Sequence, residues 1–188
     1  MESEPRVRRR WRKIGVILSL VALPLVTGGY GLHRYYFPYG GRHCCNKVIW
    51  ASMYGYAEEH DGRFPDAGGS ASSLALLADE QLPWDQIVGK GGSAEAAEKH
   101  FRAHGTLPDE YSTWHYVPGL TTDSAPGLAL FWDETGLSHA GMRQKPVRYE
   151  VSFADGRSCL IDEAEWPSFL EQQRKLLEEE RALRSGVK

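Results

Sequence analysis

Apolar and polar positions along the chain change their period three times. Ile14 to Leu32 carries no charged side chain, and at ~1.5 Å per residue its roughly 19 residues match the thickness of a hydrocarbon core. From His43 to His60 the apolar positions Cys45, Val48, Ile49, Met53, Tyr56 and Ala57 recur at three- and four-residue steps, which predicts an amphipathic helix. Asp61-Gly62 ends it, with Gly62 suited to a left-handed backbone, and Pro65 prevents its resumption.

Two further helices are predicted, at 72–81 and 94–104, the second with little apolar face and set in an insertion spanning 89–109. The chain changes character at Tyr111. Segments 113–117, 128–132, 147–153 and 158–161 are short, rich in β-formers and bounded by Pro, Gly or Asp. Tyr149, Val151 and Phe153 alternate with Arg148, Glu150 and Ser152, predicting a sheet with one buried and one polar face. Asp155-Gly156 between the last two segments is a hairpin signal. A last helix begins near Pro167, with Phe169, Leu170, Leu176, Leu177 and Leu183 on one side and a fraying, charged end from Glu178.

The expected class is α+β: an N-terminal transmembrane helix, an amphipathic helix packed on a small antiparallel sheet, and a C-terminal helix. The expected divisions are a basic tail at 1–13, an anchor at 14–32, an outer domain at 43–166 and a charged helix at 167–188.

Charge then orients the anchor. Arg6, Arg8, Arg9, Arg10, Arg12 and Lys13 precede the apolar run and only His33 and Arg34 follow closely, so the N-terminus is expected in the cytoplasm. The implied location is the bacterial inner membrane, crossed once, with the lipid bilayer as a partner and the outer domain periplasmic or extracellular. Thr27-Gly28-Gly29 is a poor cleavage site, so an uncleaved signal-anchor is favoured over a signal peptide. With a net charge of −3, nothing global points to nucleic acid.

The stretch Tyr56, Ala57, Asp61, Gly62, Arg63, Phe64 and Pro65 resembles the helix end of bacterial pilin-like and type II secretion major-pseudopilin-like proteins. Tyr116, Pro118, Gly119, His139, Gly141, Phe153, Asp155, Gly156 and Trp166 follow in the order that this group shows. The resemblance covers most of 43–166. It implies a pilin-like head with a structural, assembly or interaction role among envelope or secretion proteins, and no enzymatic activity. The prepilin motif is missing, because Lys13 to Ser19 and the apolar run after it hold no acid.

Candidate chemistry is sparse. No catalytic set or cofactor motif is expected. His139 with Asp133, Glu134 and Asp155 would serve an envelope hydrolase as a general base, or cap a loop. Type II major pseudopilins bind calcium in their sheet region, and Asp133, Glu134 and Asp155 are the candidate oxygen ligands here. That makes an extracytoplasmic ligand- or calcium-binding module the alternative function. His43, Cys44, Cys45 and His60 have zinc-type side chains at the wrong spacing. One of the vicinal pair, Cys45 in the preferred assignment, is expected to bridge to Cys159, the alternative being three buried thiols. Trp50 and Tyr54, four apart and off the main apolar face, are the expected contact patch for a partner.

Overall fold

The structure is a computed structural model that describes residues 4–78 and 81–186, with the side chains of its first helix described from Leu18 onward. That helix, α1 (Glu4–Tyr36), is continuous through Pro24. Among the described residues no helix is long and apolar enough to cross a membrane, which overturns the expected transmembrane anchor, the signal-anchor and the single-pass inner-membrane location. The described apolar stretch, 18–32, would be only about 22 Å long against a ~30 Å core, and Pro24, Thr27, Gly28, Gly29 and Gly31 dilute it. Side chains of the basic tail and of Ile14 to Ile17 lie outside the described residues.

The head begins at α2 (Asn46–Glu59), whose Ile49, Met53 and Ala57 recur every fourth residue and are fully buried. It ends as its sequence requires. Asp61 and Gly62 both take positive φ, at 54° and 75°, and Gly62 N–H donates to Ala57 O at 2.9 Å. The chain leaving that turn is sewn to the sheet side by Phe64 N–H to Leu120 O (3.2 Å), Thr122 N–H to Gly62 O (2.8 Å) and Tyr116 Oη–H to Pro65 O (2.6 Å).

Three shorter helices follow: α3 (Ser70–Ala75), α4 (Trp84–Val88) and α5 (Ala94–His104). The helix expected at 72–81 is thus earlier and shorter, and α4 was not foreseen, since five residues show no period. Helix α5 has the foreseen bounds. Ser93 caps it by accepting from Ala96 N–H, and Gly105 closes it in the left-handed region at φ 72°. The segment read as an insertion supplies buried Lys90, Ala97 and Leu107, so it is part of the core.

Strands β1 (Trp114–Tyr116), β2 (Ala129–Asp133), β3 (Arg148–Phe153) and β4 (Ser158–Asp162) form one antiparallel sheet in that order. His115, Trp132, Val151 and Cys159 make one row across it, and Tyr116, Phe131, Ser152 and Ser158 the next row, on the opposite face. Both faces are covered over β2, whereas β4 is an exposed edge. Trp114, Phe131 and Tyr116 pack into the core shared with α2, α3 and α4. On the other face lies α6 (Trp166–Arg184), with Trp166 stacked on Tyr149 at 4.2 Å and edge-on to Trp132 at 5.8 Å.

The expected polar face therefore does not exist in the middle of the sheet. All of β2 is buried, and so is Ser152, whose hydroxyl lies 3.1 Å from that of Ser158. Gln173 of α6 accepts from the buried Ala129 N–H (2.8 Å) and donates to Gly127 O (3.1 Å). The far end of α6 is pinned rather than frayed, because Arg184 donates to the hydroxyls of Thr121 (2.9 Å) and Ser124 (2.8 Å).

Candidate functional site

Residues 133–147, between β2 and β3, join the end of α1 to the head. Their fixed point is a buried ion pair. Lys90, just after α4, places its ammonium on the Asp133 carboxylate, and both side chains are only 4% exposed. Lys90 also donates to Leu137 O (3.2 Å), while Asp133 accepts from Thr135 N–H and from Thr135 Oγ1–H, each at 2.9 Å. Two charges removed from water require such a saturated set of partners. One consequence is geometric: the pair holds the turn 133–137 against the sheet.

The turn then builds outward. Gly136 sits at φ 61°, where a Cβ would lie 2.6 Å from Val147. Gln144 donates to Gly136 O (3.1 Å) and Arg148 O (2.8 Å), closing the segment on itself. Gly141, at φ 74°, lets the loop touch the Arg42 backbone, which a Cβ would approach to 2.9 Å.

Arg143 makes the junction. Its N–H donates to Tyr36 O (2.8 Å), its Nε–H donates to Tyr35 O (2.8 Å), and its guanidinium lies over the Tyr35 ring at 5.5 Å. These carbonyls belong to the last turn of α1, where they have no partner within the helix, so a head residue caps the helix. Phe37 stacks on His33 (5.1 Å) and approaches Gly41. A cavity of about 410 Å³ opens beneath this cap, lined by Tyr35, Tyr36, Thr135, Gly136, Leu137, Arg143, Gln144, Lys145 and Val147.

The expected site residues do not converge. Asp133 is committed to Lys90, Glu134 faces His115 at 3.4 Å on the surface, and Asp155 lies at the opposite end of the sheet in the β3–β4 turn. From Ala129, beside that turn, to Asp133 the strand alone covers about 13 Å. Asp155 serves the hairpin, accepting from Arg157 N–H (3.1 Å) and Nε–H (2.6 Å). Burial pushes its carboxyl up, but these bonds outweigh that and hold it below the usual carboxylate range. Among the described residues no group of three His, Cys, Asp or Glu side chains is placed to hold a metal ion.

His139 packs edge-on against His43, with ring centroids 4.1 Å apart, and the carboxylate that acts on it is Glu150, not one of the three expected acids. Burial and then the neighbouring His43 lower its pKa. Trp50 and Tyr54 stack on each other at 4.5 Å and are half-buried under the β3–β4 hairpin, where a Cβ on Gly156 would meet the Trp50 ring at 2.4 Å. Cys44, Cys45 and Cys159 are all free thiols, respectively buried, half-buried and exposed. Burial pushes the Cys44 thiol up to about 11, which keeps it protonated and a poor nucleophile.

Lys90, Arg143 and Lys145 were missed by sequence reasoning. The signal was faint in each case: a lone Lys in a Gly-rich break, and two basic residues in a loop that looked like ordinary surface. The chain matches no protein-family profile, no curated protein and no solved structure.

Proposed function

We propose that this chain is a non-catalytic, pilin-like assembly module, in which a rigid head carries α1 as a handle for self-association. One observation carries the reading: residues 18–32 of α1 are apolar, exposed on every side, and joined to the head through the capped end of the helix. Leu18, Leu20, Val21, Leu23, Leu25, Val26 and Leu32 are between 56% and 71% exposed. A helix that is apolar all round needs to be covered.

The cover that fits is a second copy of the same helix. Leu18, Val21, Leu25, Gly28 and Leu32 follow a three-four-three-four spacing, the a/d seam of a coiled coil. A Cβ on Gly28 would meet nothing within 4 Å, so the seam leaves room for close backbone approach at that position. The Arg143 cap keeps the helix from swinging, so pairing of handles would also set the relation between heads. The exit of α2 at Tyr56 to Pro65, bonded to the sheet side as described, supports the pilin-like part of the reading.

Sedimentation equilibrium on the full chain tests it. A concentration-dependent oligomer is expected, reduced to monomer by Leu25→Glu, with the head's tryptophan fluorescence unchanged. A wild-type monomer, or an oligomer indifferent to Leu25→Glu and Val21→Glu, would refute self-association through this seam.

A further inference from the structure

The cavity under the α1 cap has an unusual lining: two cations and no acid. Arg143 and Lys145 contribute the charge, and Tyr35 and Tyr36 stand in the wall. Neither cation forms an ion pair among the described residues. Arg143 is held in place by its backbone N–H and its Nε–H, both spent on α1, and among the described residues neither of its Nη atoms has a hydrogen-bond partner. Lys145, exposed on the rim, makes no side-chain hydrogen bond among the described residues.

We propose that this cavity binds a phosphate ester, with Arg143 Nη atoms and the Lys145 ammonium on the phosphate oxygens. The arguments are charge, geometry and room. A phosphate monoester near its second ionisation carries up to two negative charges, matching two unpaired cations, whereas a carboxylate carries one. A guanidinium immobilised at Nε presents its remaining N–H groups as a fixed fork, which suits phosphate oxygens; the lysine adds a point charge. At about 410 Å³ the cavity also has room for an organic substituent, which Leu137, Val147 and the tyrosine rings would contact. The floor, residues 135–137, is held by the Lys90–Asp133 pair, so the site is organised before a ligand arrives. This inference does not depend on self-association through α1.

Phosphate chemistry has two sources, a soluble ester or a phospholipid headgroup, and calorimetry on the full chain separates them. The probes are inorganic phosphate, glycerol 1-phosphate, acetate, and vesicles of phosphatidylcholine with or without phosphatidic acid, whose headgroup is a phosphate monoester. Saturable binding of at least one phosphate probe is expected, with acetate inert. Lys145→Gln, which disturbs no contact of the fold, should weaken it about tenfold or more, and Arg143→Gln should weaken it further. Binding of glycerol 1-phosphate assigns a soluble ester. Binding of vesicles that contain phosphatidic acid, with the soluble esters and pure phosphatidylcholine inert, assigns a headgroup. The proposal is overturned if no phosphate probe binds saturably, if acetate binds as well, or if Lys145→Gln leaves the affinity unchanged.

Discussion

Breaking the buried pair Lys90–Asp133 from one side and then from both gives the sharpest test of how the junction is built. Asp133→Leu leaves the Lys90 ammonium inside the protein with one remaining acceptor, Leu137 O, and also removes both Thr135 contacts. Removing one partner of a buried pair typically costs about 3–5 kcal/mol, because the other charge stays desolvated. Lys90→Met leaves Asp133 with two donors from Thr135, so its cost should fall at the lower end of that range. At about 2–4 °C per kcal/mol for a chain of this size, the melting temperature should drop by roughly 6–20 °C for Asp133→Leu.

The double variant Lys90→Met/Asp133→Leu carries no buried charge there, and its cost should be well below the sum of the two singles. Urea unfolding of all four proteins, followed by tryptophan fluorescence, supplies the double-mutant cycle. Two results would sink the argument: single substitutions that each cost less than about 1 kcal/mol, or costs that simply add. Either would mean that the pair is hydrated, and that something else holds residues 133–137.

Three further outcomes can be checked on the same protein. Gly156→Ala forces a Cβ into Trp50 at a φ of 83°, and should cost about 1–3 kcal/mol while changing the Trp50 emission. Replacing Gln173 by Ala strips the buried Ala129 N–H of its acceptor, for about 1–3 kcal/mol in chemical denaturation. The lowered pKa of His139 gives a pH signature with a definite sign. Its folded value lies below the unfolded one, so as pH falls through about 6.5 the unfolded chain binds the proton first and stability declines. Above that window the residue contributes no slope; His139→Gln should flatten the decline between neutral pH and the folded pKa, and an unchanged slope would count against the account.

Local chemistry was legible wherever one short segment decides its own conformation. Asp61-Gly62 stops a helix because glycine takes positive φ without a Cβ penalty, and Asp155-Gly156 turns a hairpin for the same reason. Period three-to-four marked α2, Ser93 and Gly105 bracket α5, and short β-rich segments bounded by Pro, Gly or Asp located all four strands within a residue at either end. Trp50 and Tyr54 show the limit. Their spacing put them off the apolar face of α2, but spacing carries no information about what a distant hairpin lays over them. Ser152 fails in the same way, its burial being set by the helices packed on its own face of the sheet.

What the sequence determined by itself was the order and type of most elements, the two glycine turns and the apolar character of 18–32, all properties fixed within a few residues. The tertiary structure alone decided that both faces are covered over β2, that the 89–109 segment enters the core, and that Lys90 meets Asp133 from 43 positions away. It also decided that Arg143 caps α1 across 108 positions. The physical reason is range. Backbone preference and side-chain period act over a turn or a strand pair, whereas desolvation of a charge depends on every element packed around it. The junction site is made of such long-range encounters, and no local pattern announces them.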